Sequence, residues 1–294
     1  MSTLATTPPA AARPPAAANR TASAPRLPGW LRSGAIAAAC TAAGFGLLIL
    51  LWAVAAWFSV DRSIPGMPRQ LLPGPVETLP ALWQMLLDPF YDNGPNDKGI
   101  GLQALHSLAH VFHGWGVGLL IAIPLGILLG TSRIARSILD PVVQTLRPVS
   151  PLAWFPLGLA VMQSAPDATV FVIVITSLWP TLINTMYGVM SLPDDYRNVA
   201  RVFRFSRFQY VTKVVLPYAV PHILTGMRLS MGIAWLVIVA AEMLAGGTGL
   251  GYFIWDAYNA GSLTRVLGAI IVIGVIGLLL DRAFDLLARR LSFT

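Results

Sequence analysis

The sequence predicts an all-α membrane protein of about six transmembrane helices with both termini on the cytoplasmic side. Three observations lead there. Apolar residues make up 55% of the 294-residue chain against 11% charged, and mean hydropathy is +0.67, a balance outside the range of soluble domains. Several apolar windows reach the roughly 20 residues that a helix needs to cross a bilayer. Arginines collect in alternate connecting segments, the asymmetry that marks the cytoplasmic side. The net charge of +7 is spread between apolar runs, which argues for membrane topology and against nucleic acid as a partner. The single cysteine, Cys40, lies in the first apolar run, so the chain has no internal disulfide and its redox compartment stays open.

Residues 1–33 are rich in Ala and Pro, carry Arg13, Arg20, Arg26 and Arg32, and contain no acid. A secretory signal would need an earlier apolar segment, and the prolines oppose the amphipathic helix of a transit peptide, so a disordered cytoplasmic tail is expected. The transmembrane domain is assigned to residues 34–290. Its first span is 34–60, uncharged, with Trp52 and Trp57 near an interface. Residues 61–103 carry five acids against three bases and form an outer segment, in which Pro75–Leu87 reads as a short helix and DPFYDNGPNDKG as a polar loop. The second span, 104–130, carries Gly114, Gly118, Gly126 and Gly130 in pairs four apart, a pattern that lets another helix approach closely.

A third apolar segment, 138–163, is interrupted by Arg147-Pro148-Val149-Ser150-Pro151. Two prolines there remove two backbone donors, which lipid does not tolerate, so the break is expected inside protein or along a wet path. The fourth span is 168–190, the fifth 222–244 and the sixth 263–280. A Gly-rich outer loop, GGTGLGYFIWDAYNAGS, joins the last two. No internal repeat is evident.

The longest polar interruption in the second half of the chain is LPDDYRNVARVFRFSRFQYVTKVVLPYAVP, residues 192–221. Asp194 and Asp195 open a helix, where carboxylates oppose the positive end of the dipole. Arg197, Arg201, Arg204 and Arg207 then recur every three or four residues, near one helical face. Such a basic amphipathic segment suits docking on another protein. The bland alternative is a positive-inside loop without a partner. The chain's two lysines, Lys98 and Lys213, follow Asp97 and precede Val214. Neither stands in the Gly-Lys-Ser/Thr context that cradles phosphates. Any ATP hydrolysis therefore belongs to another polypeptide.

Asn198-Val199-Ala200, three residues, Arg204, nine residues, then Val214-x-Leu216-Pro217 resembles the cytoplasmic motif of ABC importer permeases. The family pattern is Glu-Ala-Ala, Gly and Ile-x-Leu-Pro at the same spacing. Ala200, Leu216 and Pro217 match by identity, Val214 is conservative, and Asn198 and Arg204 replace the family Glu and Gly. LRPVSPLAWFPLGLA, TSLWPTLINT and GIAWLVIVAAEMLAGGTGLGY resemble the permease group that serves nitrate, sulfonate, taurine and related anions. The outer tract and Arg147–Trp154 are most similar to its nitrate branch, shared with bicarbonate and cyanate relatives.

The resemblance covers about residues 70–285 and implies a type I ABC importer permease fold in the bacterial inner membrane. It implies two permease copies, two P-loop ATPase subunits that hold ATP and Mg, and a periplasmic or lipid-anchored binding protein. It also implies a nitrate or nitrite cargo, with bicarbonate, cyanate and taurine or alkanesulfonate as alternatives. A self-sufficient secondary transporter is the rival from outside the class, and it would usually show inverted repeats and paired intramembrane charges.

Within this frame the ATPase-coupling residues are Tyr196, Asn198, Val199, Ala200, Arg201, Arg204, Phe205 and Ser206, with Val214, Leu216 and Pro217 setting how the next helix leaves. Ala200 is expected to face the partner. The path residues are Arg147 at the proline break, Ser150, Trp154, Thr176, Ser177 and Asn184 as donors, and Glu242, whose charge would repel an anion and which reads as structural or part of a gate. The same hydroxyls and amide serve equally as glue between helices, and tryptophans placed as Trp154 is are more often packing than path. His106, His110 and His113 share a helical face, read as polar packing with a metal site as the alternative. No catalytic residue, metal or cofactor is assigned to the chain itself.

Overall fold

The computed structural model describes residues 29–61, 69–70, 72–94 and 97–291. Most of the tail expected to be disordered, residues 1–28, lies outside them. The chain divides into two compact units, Met1–Trp52 and Ala53–Thr294. Helix α1, Gly29–Phe58, begins five residues before the expected first span and holds the apolar stretch Ala38–Phe58.

In the second unit, a two-residue antiparallel pair joins β1, Val60–Asp61, to β2, Arg69–Gln70. Then come α2, Pro75–Leu87, and α3, Ile100–Thr131. Between them Lys98 Nζ donates to Asp92 Oδ2 at 2.7 Å, and that bond holds the Asp92 carboxyl below the usual carboxylate range. Helix α4, Arg133–Leu146, leads through a 3₁₀ turn, Pro151–Trp154, into α5, Phe155–Met162. Then follow α6, Ala165–Met190; α7, Asp194–Val202; α8, Arg207–Tyr210; a π turn, Val211–Val215; α9, Leu216–Ala245; α10, Leu250–Asn259; and α11, Leu263–Leu291.

Five helices among the described residues are long and apolar enough to cross a membrane: Ala38–Phe58, Ile100–Thr131, Ala165–Met190, Arg207–Ala245 and Leu263–Arg290. The third apolar segment, 138–163, differs from expectation. Its proline break divides it into α4, which is amphipathic, and the short apolar piece Pro151–Met162. Twelve residues at 1.5 Å each span about 18 Å, well short of a ~30 Å hydrocarbon layer. The expected Gly-rich outer loop is also partly helical, since α10 forms within it.

Helix α6 is central, packed along α3 on one side and α9 on the other. The glycine pattern explains the first contact. A Cβ built on Gly114 would stand 2.7 Å from Ile173 Cβ, one on Gly126 2.7 Å from Thr185 Cβ, and one on Gly130 2.5 Å from Val189 Cβ; Gly118 abuts Ser177. Glycine lets the two backbones close to a distance that any side chain would hold apart. Polar ties cross the seam, with Trp115 Nε1 and Thr181 Oγ1 both donating to Ser230 Oγ at 2.9 and 3.0 Å. The main apolar core, around Val111, Ile173, Met231, Trp235 and Phe253, is contributed by α3, α6, α9 and α10.

Candidate translocation cavity and coupling arm

The polar segment folds into a compact arm rather than one long helix. Helix α7 ends at Val202, short of the last two arginines expected on its face, Arg204 and Arg207. The reason is the turn that follows. Phe205 N–H donates to Ala200 O and Arg204 N–H to Arg201 O, both at 3.0 Å, the paired bonds of a Schellman stop. Such a stop needs a left-handed residue, and Arg204 supplies it with φ of 51°. This is the position where the family pattern has Gly, so the departure is conformational. Arg204→Gly is expected to remove about 1 kcal/mol of left-handed strain and to slow amide exchange at Phe205 about fivefold. Unchanged exchange would show that Arg204 carries no strain.

Ser206 then caps α8 through a capping box, its Oγ accepting from Gln209 N at 3.2 Å and its N–H donating to Gln209 Oε1 at 3.0 Å. The π turn follows directly and leads into Leu216 and Pro217. Proline lacks an N–H and clashes with the carbonyl four residues back, so the ladder widens by one residue there. Pro217 thus sets the exit of α9 through this turn, and Val214 and Leu216 pack around Val215 and Ala219 at the base of the arm.

Ala200 does not face outward as expected. It is 4% exposed, and its side chain lines the cavity that separates α7 from the ends of α3 and α6. The outward face carries Val199 (53% exposed), Val202 (79%) and Phe203 (70%), with Tyr196 beside them and Asn198 exposed. Val202 and Phe203 were not predicted. Their signal was present as apolar residues among arginines, but the pattern was read from the charges. Because α7 stops early, Arg204 also leaves the arginine face, while Arg197, Arg201 and Arg207 still converge on one cavity.

The proline break lines a different cavity, of about 320 Å³, where Arg147, Trp154, Thr176 and Asn184 come together with Trp179 and Ile183. Trp154 Nε1 is buried with no hydrogen-bond partner, a donor left open. Thr176 Oγ1 and Asn184 Nδ2 bond their own helix, at Val172 O (2.6 Å) and Pro180 O (2.8 Å). A second cavity of about 700 Å³ runs from Arg147 to Arg136, Gln144 and Met190. Arg147 and Ile183 line both. Arg136 is tied to Leu129 O and Gly130 O at 3.0 and 3.2 Å. Arg147 has no ion pair among the described residues.

Three predicted path residues lie elsewhere. Ser150 is exposed and lines neither cavity, its carbonyl accepting from Ala153 N at 3.0 Å. Ser177 is fully buried against Gly118 and donates to Val174 O at 3.2 Å. Glu242, 1% exposed, accepts from Ser107 Oγ at 2.8 Å and Gly251 N at 3.0 Å. With Ser107 Oγ accepting from Leu250 N and Gln103 Oε1 from Gly249 N, it pins the Gly-rich turn to α3. Glu242 is a structural clamp.

Of the histidines, His110 Nδ1 approaches Glu242 Oε1 at 3.4 Å, while His106 and His113 are exposed. No group of three metal-capable side chains forms among the described residues. Sequence reading also missed Arg228, a lone cation in the apolar α9. Its Nε and Nη2 donate to Asp281 at 2.9 Å and its Nη1 to Asp285 at 2.9 Å, locking α9 to α11.

A bundle whose long helices are apolar enough to cross a membrane marks a multi-pass membrane protein. Over residues 122–293 the chain matches the family described as binding-protein-dependent transport system inner membrane component, and it belongs to that family. It is 48% identical over 211 residues to the nitrate import permease protein NrtB of Synechocystis sp., covering 72% of this chain and 77% of that protein. It is 43% identical over 240 residues to the bicarbonate transport system permease protein CmpB of Synechococcus elongatus, covering 81% and 86%. In fold it resembles the inward-facing MetNI methionine ABC transporter, with TM-score 0.57 and 17% identity over 72% of this chain and 98% of that one.

Proposed function

We propose that this chain is the membrane-spanning permease subunit of an ATP-driven importer for nitrate or nitrite. The observation that carries the cargo is the 48% identity to a nitrate import permease, and the Arg147 cavity with its open Trp154 donor suits a small anion. The 43% identity to a bicarbonate permease supports bicarbonate as the second reading. ATP and Mg belong to separate P-loop ATPase subunits, which dock on α7. A substrate-binding protein delivers the anion at the opposite face, and a second permease copy completes the path. The arginine-rich segments mark the arm's side as the cytoplasm; with both termini there as well, the chain crosses six times, the broken stretch of α4 and α5 together making the passage between α3 and α6.

Uptake by the reconstituted complex decides the cargo. Nitrate is expected to accumulate on ATP addition, with bicarbonate at least tenfold slower. The reverse ranking would replace the nitrate reading, and uptake without ATP would remove the ABC reading. In a Cys40→Ala background, a cysteine at Asn93 is expected to react with an impermeant thiol reagent added outside, and one at Ser206 to stay unlabelled.

A further inference from the structure

The cavity beneath the arm has a chemistry that neither docking nor the transport path uses. It encloses about 330 Å³ between α7 and the facing ends of α3 and α6, at Gly130 and Val189. Arg197 and Arg201 enter it from α7 and Arg207 from α8, beside Tyr210. Little neutralises them. Asp194 Oδ1 stands 3.7 Å from Arg197 Nη1, and its side chain is 86% exposed. Arg201 reaches only the neutral Asn198 Oδ1, at 3.5 Å. Arg207 has no ion pair among the described residues. Arg197 Nε is buried with no partner at all.

We propose that this cavity is an oxyanion site that takes a phosphate group. Guanidinium forks match the oxygen spacing of phosphate and bind it with charge-assisted bonds. The space is about ten times the ~30 Å³ share of a water molecule, enough for the group and part of its hydration shell. The site lies where spanning helices α3 and α6 end, a level shared by lipid headgroups and free ions. A bound phosphate would sit between arm and bundle and fix the arm's seat. The docking face at Val199, Val202 and Phe203 points the other way and stays free. The proposal stands independently of the cargo.

The test is thermal unfolding of the purified full chain in detergent, with phosphate replacing chloride at constant ionic strength. The parent is expected to show a saturable rise in Tm. Arg197→Gln with Arg201→Gln is expected to need at least tenfold more phosphate for the same rise. Arg207→Gln alone provides the same readout should the double variant fail to fold. A parallel arm compares nanodiscs of phosphatidylglycerol and phosphatidylcholine without free phosphate. A variant-sensitive rise in phosphate assigns a free ion, and one only in phosphatidylglycerol assigns a headgroup. Equal responses of parent and variants in both arms would overturn the site and leave the arginines as a solvated face or as partners for carboxylates of another subunit.

Discussion

Val202→Asp combined with Phe203→Asp is expected to give a permease that inserts and melts as the parent does but loses its ATPase partner on purification. The two side chains are 79% and 70% exposed on a short polar helix, so nothing in the isolated chain is gained by their being apolar. Exposed apolar clusters of this kind mark interaction surfaces. Truncating a central aromatic anchor at an interface commonly costs about 2 kcal/mol or more, which is about 30-fold in affinity, and a buried unpaired carboxylate adds to it. The readouts are the ATPase-to-permease ratio after detergent extraction and substrate-stimulated hydrolysis in the reconstituted complex. Parental values of both would remove this face from coupling. Ala200→Arg has a different expected effect. Ala200 is buried and lines the cavity under the arm, so that substitution puts a long cation into the permease's own interior and cannot report on docking alone.

Much of the fold was legible because hydropathy and small-residue spacing act locally. The span at 104–130 could be read from composition, and its glycines at 114, 118, 126 and 130 announced a close neighbour; α6 is that neighbour. The short helix at Pro75–Leu87 was read to the residue because proline and the following apolar period fix both its ends. The prolines at 148 and 151 showed that the chain breaks there but not how far it would depart from a crossing helix, since the length of α5 depends on packing against α6 and on Gln163 turning left-handed at φ 54°. The arm was found by spacing and misread in facing. A run of arginines every three or four residues looks like one face, yet Arg204 takes the left-handed stop and Arg207 starts another helix. Glu242 and Arg228 illustrate the remaining gap. Both are charges in the apolar α9, and only tertiary structure supplies Ser107 and Gly251 for the one and Asp281 and Asp285 for the other.

Arg147→Gln is expected to slow anion uptake by about 10- to 100-fold while leaving expression, arm docking and basal ATP hydrolysis near parental levels. Arg147 is exposed, caps α4 through its backbone N–H to Val143 O at 3.0 Å, and carries a side chain that lines both cavities. Glutamine keeps the backbone bond and the length of the chain but removes the charge, so the bundle has no reason to unfold. What is lost is a charge-assisted hydrogen bond to the passing ion, worth about 1.5–3 kcal/mol, and the range in rate follows from that figure. Arg147→Lys keeps the charge without the planar fork and should fall between the two. Trp154→Phe deletes the open Nε1 donor together with part of the ring, and is expected to reduce uptake about fivefold. Because both groups line one cavity, their combined effect should differ from the sum of the single effects. Uptake that is parental in Arg147→Gln would place the anion route elsewhere, and a matching loss of protein in the membrane would show that Arg147 serves the fold rather than the path.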